Sequence, residues 1–123
     1  MALITRADLL EINKDLVLDG GGVGYGEMAG KSASALISRV ENAIYYGTIN
    51  GEDVLEVACY WAEVISRGHV FKDGNKRTSL AIMLAYLNAY GVRLKIGQEV
   101  LANLIVDLAQ GHIDHRRLMA KLR

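Results

Sequence analysis

The sequence contains no proline and a single cysteine, and its acidic and basic residues balance at 14 each. Without proline, glycine must supply the chain breaks. The lone Cys59 excludes a disulfide framework or a paired-thiolate metal site, and its apolar surroundings predict a buried structural thiol. A net charge of zero argues against a general polyanion-binding protein, which needs excess basic charge. Any phosphate chemistry therefore requires a local basic cluster.

Long apolar runs are also missing from the chain. The N-terminal stretch 1–17 carries acidic and polar residues, unlike a signal peptide, and the apolar segments are too short and mixed to span a membrane. We therefore expect a cytoplasmic protein. The chain has 123 residues, 51% of them hydrophobic, which predicts one globular domain, 1–123, around one core.

Apolar periodicity predicts an all-α domain of about six helices, and no alternating run is long enough for a sheet. Gly68 is expected to end the third helix as its C′ residue. Residues 20–30, with six glycines, form an irregular segment, and 92–96 a brief extended link. The first predicted helix begins at Thr5–Asp8 and ends at Asp19, the second runs from Ser32 to Tyr46, and the third runs from Glu52 or Asp53 to Gly68. The fourth runs from Asn75 to Tyr90, the fifth contains Val100–Leu108 and is stopped by Gly111, and the last begins at Asp114.

Other aromatic and polar residues have structural interpretations. His112 and His115 flank Asp114; they could bind a metal, but a solvated helix start is favoured because further ligands are lacking. Basic residues in the last helix complement its C-terminal dipole, so no nucleic-acid contact is predicted. Core packing is expected for four aromatic residues on helical stripes: Tyr60, Trp61, Tyr86 and Tyr90.

One segment, GHVFKDGNKR at 68–77, breaks the core-filling pattern between two apolar helices. His69 directly follows the third helix, and an imidazole at such a polar junction is a candidate proton acceptor. The unpaired N–H groups that begin the fourth helix form an anion site, and Gly74 lets a phosphate approach the backbone. Lys76 and Arg77 oppose this helix dipole unless an anion lies between them and the helix. Asp73 offers an oxygen ligand to Mg²⁺.

HVFKDGNKR resembles the Fic/Doc family signature, H-x-F-x-[D/E]-G-N-[G/K]-R. The upstream glycine-rich segment and the NAYG that ends the following helix extend the resemblance over roughly residues 15–110. Most Fic enzymes have glycine at the position of Lys76, and a second arginine where this chain has Leu80. In both respects the chain resembles the Doc branch, the toxins of phage-type addiction modules, which has N-K-R and lacks the second arginine. That branch has alanine at the position of Gly74.

The resemblance implies a Fic/Doc-fold transferase that uses Mg²⁺ with ATP or another nucleoside triphosphate. His69 would be the general base that deprotonates a target hydroxyl, and Asp73 would hold Mg²⁺. Phe71 would face the core and lock the loop. The resemblance also implies an anion cradle formed by Gly74, Asn75, Lys76 and Arg77.

Lys76 and the missing second arginine imply that the γ-phosphate is presented to the hydroxyl. The implied function is a toxin kinase that phosphorylates Ser or Thr of a translation factor, elongation factor Tu in the Doc branch, and arrests translation. Two alternatives stay open: a Fic-type transferase of AMP or another nucleoside monophosphate, and a catalytically silent partner in a toxin–antitoxin complex.

Regulation and the glycine-rich segment give two further expectations. The family's self-inhibitory pattern, [S/T]-x-x-x-E-[G/N], is matched incompletely at Thr48–Asp53, and Glu41–Asn42 follows Ile37 where Ser or Thr is required. A separate antitoxin is therefore expected to supply the inhibitory helix. Residues 20–30 lack the flanking strand and G-K-[ST] of nucleotide-binding loops, so they are interpreted either as a loop near the active site that positions the target backbone, or as a plain surface loop.

Overall fold

The computed structural model describes residues 4–123, and this part of the chain is helical. Its one extended pairing is an isolated antiparallel bridge between Glu27 and Phe71. None of its helices is long and apolar enough to cross a membrane. The predicted all-α fold of six helices is confirmed: α1 Arg6–Asp19, α2 Ala33–Tyr45, α3 Val54–Gly68, α4 Asn75–Ala89, α5 Gln98–Ala109 and α6 His115–Leu122.

Helix α3 is the centre of the bundle. It packs against α2, α4, α5 and α6, most extensively against α4, while α1 packs on α4 and α2. Val57, Trp61 and Ile65 lie on its buried face. Cys59 is also completely buried, and this burial raises the pKa of its thiol to about 12, as expected for a structural cysteine. Since α3 and α4 are the most deeply packed pair, the short loop between them is held by the core.

Four of the six helices in the described part of the chain begin with a side-chain cap. Thr5 and Asp8 form a complete capping box at α1. The side chains of Ser32, Asp53 and Asp114 accept hydrogen bonds from the first turns of α2, α3 and α6. A cap of this kind contributes about 1 kcal/mol to helix stability.

The predicted end of α3 is wrong in one detail. Gly68 is the last helical residue, and His69 takes the left-handed conformation, with φ 50°. Gly68 serves packing instead, because a Cβ at this position would lie 2.9 Å from Cδ2 of Leu36 on α2. The glycine therefore allows α2 and α3 to approach each other, while the cap falls on the histidine.

Two of the four aromatic residues that were predicted to pack in the core lie at its edge. Trp61 and Tyr86 are buried, but Tyr60 is half-buried and Tyr90 is 37% exposed. Tyr90 is the C-cap of α4, and its ring lies beside Tyr86 with 5.1 Å between centroids. The prediction of core packing is therefore wrong for Tyr90, which lies at the edge of the core at the end of α4.

The prediction of a solvated helix start is wrong for His115. This residue is 8% exposed, its amide donates to Glu63 Oε1 at 2.8 Å, and its ring packs edge-on against Tyr60 at 5.0 Å. His112 is exposed and lies 3.7 Å from Asp107. No group of three or more His, Cys, Asp or Glu residues within 4–123 is arranged to hold a metal.

Candidate active site

The polar residues of the α3–α4 junction line one cavity of about 250 Å³. Val70 and Phe71 anchor the loop, because their side chains are buried in the core at 4% and 1% exposure. This core anchoring leaves the polar residues on the outer side of the loop. The cavity is lined by Ser66, His69, Lys72, Asp73, Gly74, Asn75, Lys76, Arg77 and Ala109.

The cavity concentrates positive charge in a protein whose net charge is zero. Lys72, Lys76 and Arg77 line it together with one carboxylate, that of Asp73. Within residues 4–123 no ion pair joins Asp73 to any of these three cations. Asp73 therefore does not neutralise these cations, and their charge is available to an anionic ligand.

His69 is the one non-glycine residue with positive φ in the described part of the chain. The left-handed conformation costs a residue with a side chain about 1–2 kcal/mol, and such strain persists mainly at functional sites. Hydrogen bonds fix the carbonyls on either side of it: the Lys31 side chain donates from Nζ to Gly68 O at 3.2 Å, and Met28 N donates to Val70 O at 2.7 Å. The side chain of His69 is exposed at the mouth of the cavity.

Asp73 and Gly74 shape the start of α4. Gly74 is the N-cap in the left-handed conformation, φ 75°, and supplies no side-chain acceptor to the first turn. Its own N–H donates to Asp73 Oδ1 at 2.7 Å. The first N–H groups of α4 are thus available to an anion, and the helix dipole favours negative charge there.

Asn75 closes the motif loop. Its Oδ1 accepts from Phe71 N at 3.1 Å, and its Nδ2 donates to Phe71 O at 2.9 Å. Both polar atoms of the carboxamide, including the Nδ2 donor that could contact an anion, are therefore engaged inside the loop. In this structure Asn75 shapes the cradle with its side chain and faces the cavity at the first residue of α4.

Arg77 connects the site to α1. Its Nη1 donates to Leu16 O at 3.2 Å, in the last turn of α1. The guanidinium therefore lies near the negative end of α1 as well as the positive end of α4. This contact offsets part of the dipole conflict that the sequence predicted for Arg77, so the conflict requires no bound anion by itself.

The glycine-rich segment lies directly against the motif loop. Met28 N donates to Val70 O at 2.7 Å and Lys72 N donates to Gly26 O at 2.9 Å, which forms the isolated bridge. Hydrogen bonding from the Ala33 amide, with help from Arg6, lowers the pKa of Glu27 and fixes the end of the segment. The segment therefore lies beside the motif loop, as the first interpretation expects, and its role in positioning a target backbone stays a prediction.

Two residues near the site escaped prediction. Ser66 lines the cavity from the last turn of α3 and is 1% exposed, but nothing in its local sequence distinguishes it. Asn13 is completely buried on α1, between the buried Leu9 and Val17. A polar residue one helical turn from apolar residues on both sides was a readable signal, because buried amides must be hydrogen-bonded.

Comparison with known proteins agrees with the geometry. A model of the Fic/DOC family matches residues 3–87, which include every junction residue and more than half of the chain. This chain belongs to the Fic/DOC family. It is also similar to Protein kinase doc of Escherichia phage P1, with 37% identity over 103 residues, which cover 80% of this chain and 79% of that protein. The family resemblance indicated by the motif, including its Doc branch, is confirmed.

Proposed function

We propose that this chain is a Doc-type protein kinase that transfers the γ-phosphoryl group of ATP to a serine or threonine hydroxyl. The observation that carries the proposal is the single cavity that gathers His69, Asp73 and three cations at the uncapped N-terminus of α4. Similarity to a protein kinase favours phosphoryl transfer over nucleotidyl transfer.

The cavity suits the phosphate chain of a nucleotide. Its volume of about 250 Å³ is below the ~300–1,000 Å³ typical of sites that enclose a whole small molecule. Gly74 adds no side chain over the first amides of α4, and Lys76 and Arg77 supply positive charge beside them. We expect the phosphates to occupy the cavity, and the base and ribose to lie outside it.

The donor set also fits Mg²⁺. Mg²⁺ prefers oxygen ligands and commonly takes one or two carboxylates together with substrate phosphates. Asp73 is the one carboxylate that lines the cavity, and it is exposed there. When bound, the ion would neutralise phosphate charge and orient the transferred group.

The chain's own residues would then supply base catalysis, positioning and charge. The target hydroxyl oxygen forms a bond to the γ-phosphorus while the bond from that phosphorus to the bridging oxygen breaks, and ADP leaves. His69 accepts the hydroxyl proton, because it stands at the cavity mouth where the hydroxyl must enter. Lys76 and Arg77 balance the charge of the phosphates, as positioning and electrostatics dominate phosphoryl transfer.

A Fic-type nucleotidyl transferase is the main alternative, because the same helix N-terminus could hold the α-phosphate. The two are separated by incubating the protein with Mg²⁺, a cytosolic extract and ATP labelled at either the α- or γ-phosphate. We expect transfer of γ-label to protein and no transfer of α-label. Retention of α-label alone would refute the kinase. The matched control is His69→Ala, which should abolish either transfer.

We further propose that the target is a translation factor, elongation factor Tu by family resemblance, and that the chain acts in the cytoplasm as the toxin of a toxin–antitoxin pair. The segment Thr48–Asp53 supports a separate antitoxin, because it precedes α3 as a turn and Asp53 caps that helix. Expression of the chain should stop growth and lead to phosphorylation of the target protein in the cells. A co-expressed neighbouring gene product should restore growth. If His69→Ala remained equally toxic, the silent-partner alternative would be correct.

A further inference from the structure

We infer that Asn13, which lies on α1 outside the signature motif, is a positioning residue that holds the glycine-rich segment and the motif loop in register. Asn13 is completely buried. A buried carboxamide is costly unless its polar atoms are paired, so its contacts indicate why it is there. The inference rests on the proposed function for its kinetic consequence, but its structural part can be tested in the protein alone.

The carboxamide of Asn13 joins three segments. Its Nδ2 donates to Asp73 O at 2.9 Å in the motif loop and to Thr78 Oγ1 at 3.2 Å on α4. Its Oδ1 accepts from Gly26 N at 2.9 Å in the glycine-rich segment. Gly26 O in turn accepts from Lys72 N, so Asn13 and the bridge hold the two loops from both sides.

These contacts act on the backbone that presents the cavity. Fixing the carbonyl of Asp73 fixes the peptide that joins it to Gly74, the N-cap of α4. The fit is close: a Cβ on Gly74 would lie 3.0 Å from Val17 Cγ2 and 3.4 Å from Asn13 Nδ2. A small shift of Asn13 therefore moves the Asp73 carboxylate and the first amides of α4 together.

Packing alone does not account for an asparagine here. Leu9 and Val17, one helical turn to either side, are completely buried, and an apolar residue would continue that stripe. Aspartate cannot replace the amide, because Asp73 O needs a donor and an ionised carboxylate offers only acceptors. The network therefore specifies both the donor and the acceptor of a carboxamide.

The experiment compares Asn13→Asp, which keeps the acceptor for Gly26 but loses the donor, with Asn13→Leu, which loses both. Thr78→Val is the matched control that removes one partner of Asn13 and leaves its bond to Asp73. Leu9→Val, on the same helix, controls for lost stability, because it trims a buried apolar side chain and removes none of the hydrogen bonds of Asn13. All proteins are compared at temperatures where each is fully folded. If Asn13→Leu does not fold, Asn13→Asp is used in its place for the same measurements.

The first measurement is the backbone amide spectrum of the nucleotide-free protein. We expect the signals of Asp73 and Gly74 to move in both Asn13 variants, and the Gly26 amide to lose hydrogen-exchange protection in Asn13→Leu. Leu9→Val should leave these signals in place. Unmoved signals of Asp73, Gly74 and Gly26 in Asn13→Leu would overturn the inference, whatever reaction the protein catalyses.

The second measurement is the Mg²⁺ concentration for half-maximal binding of a non-hydrolysable ATP analogue, followed by KM and kcat. Mutation of a residue that orients a metal ligand typically lowers metal affinity or activity about 10–100-fold. We therefore expect the Mg²⁺ concentration for half-maximal binding to rise at least about tenfold in both Asn13 variants and to change little in Leu9→Val. Equal requirements in all proteins would refute the positioning role. Moved amide signals with no nucleotide binding even by the parent protein would instead refute the proposed function.

Discussion

Two polar clusters adjoin α3, one at its C-terminal end and one between α3 and α6, and both contain an acid, an arginine and a histidine. They differ in what their polar groups contact. The junction cluster (His69, Asp73 and Arg77) lines the cavity, and within residues 4–123 no ion pair joins its side chains to one another. The α6 cluster (Glu63, Arg67 and His115) is turned inward against α5 and α6. The junction cluster is therefore available to a ligand, whereas the polar groups of the α6 cluster are engaged in contacts that hold the helices together.

The α6 cluster satisfies its polar groups internally. Glu63 Oε1 accepts from the His115 amide and lies 3.4 Å from His115 Nδ1, and Arg67 donates to the carbonyls of Leu108 and Ile113. His115 Nε2 is buried without a hydrogen-bond partner within the described residues. The tautomer with its proton on Nδ1 leaves Nε2 a bare acceptor, so no N–H is buried unpaired. This histidine therefore holds α6 on α3.

The sharpest way to break the comparison is His69→Gly. Removing the proposed general base should lower kcat by about 10²–10⁴-fold. Glycine relieves the left-handed backbone, so stability should rise by about 1 kcal/mol. Phosphoryl-transfer rates and denaturant unfolding measure the two effects. His112→Gly, at an exposed histidine outside the left-handed region, should change neither rate nor backbone strain. A less stable but fully active His69→Gly protein would show that the clusters do not differ in the proposed sense.

Glu63→Leu should have the opposite signature. It removes the acceptor of the buried His115 amide and the partner of Arg67, which should lower the free energy of unfolding by about 1–3 kcal/mol. Activity per folded molecule should stay within about twofold, because Glu63 does not line the cavity. A large fall in kcat at unchanged stability would mean that the α6 cluster belongs to the active site.

The smallest expected effect is the dependence of stability on pH. Burial opposes ionisation of Glu63, but hydrogen bonds from His115 and the charge of Arg67 outweigh it and lower the pKa below its ordinary 4.5. The ionised carboxylate therefore stabilises the fold above that value, and this contribution disappears as pH falls through the lowered pKa. Unfolding of the parent protein between neutral and acidic pH should lose more free energy than unfolding of Glu63→Gln. Parallel curves would contradict the assignment.

The sequence predicts most of the fold because local signals decide it. Capping residues such as Thr5 and Asp114, and apolar stripes along each helix, act within one or two turns. The errors concern tertiary contacts. Gly68 resembles a helix terminator, but its packing against Leu36 decides its role, and His115 resembles a solvated residue because its partner Glu63 is distant in sequence.

The candidate site also has features that the local sequence predicts and features that depend on tertiary contacts. Its residues between 69 and 77 could be found because they are contiguous and follow a family signature. The engagement of Asn75 with Phe71, the contact of Arg77 with α1 and the network of Asn13 could not be predicted, because each depends on which backbone group comes within 3 Å or so in the folded chain. The bridge between the two loops is a further example, since neither partner forms a regular strand.

The contact between Arg77 and Leu16 has a consequence for how such sites diverge. A Cβ on Gly20 would lie 2.5 Å from Arg77 Nη1, so any other amino acid there would push the guanidinium away from Leu16 O. A side chain at position 20 would therefore redirect the guanidinium of Arg77, so a mutation outside the motif can change the charge presented beside the first amides of α4.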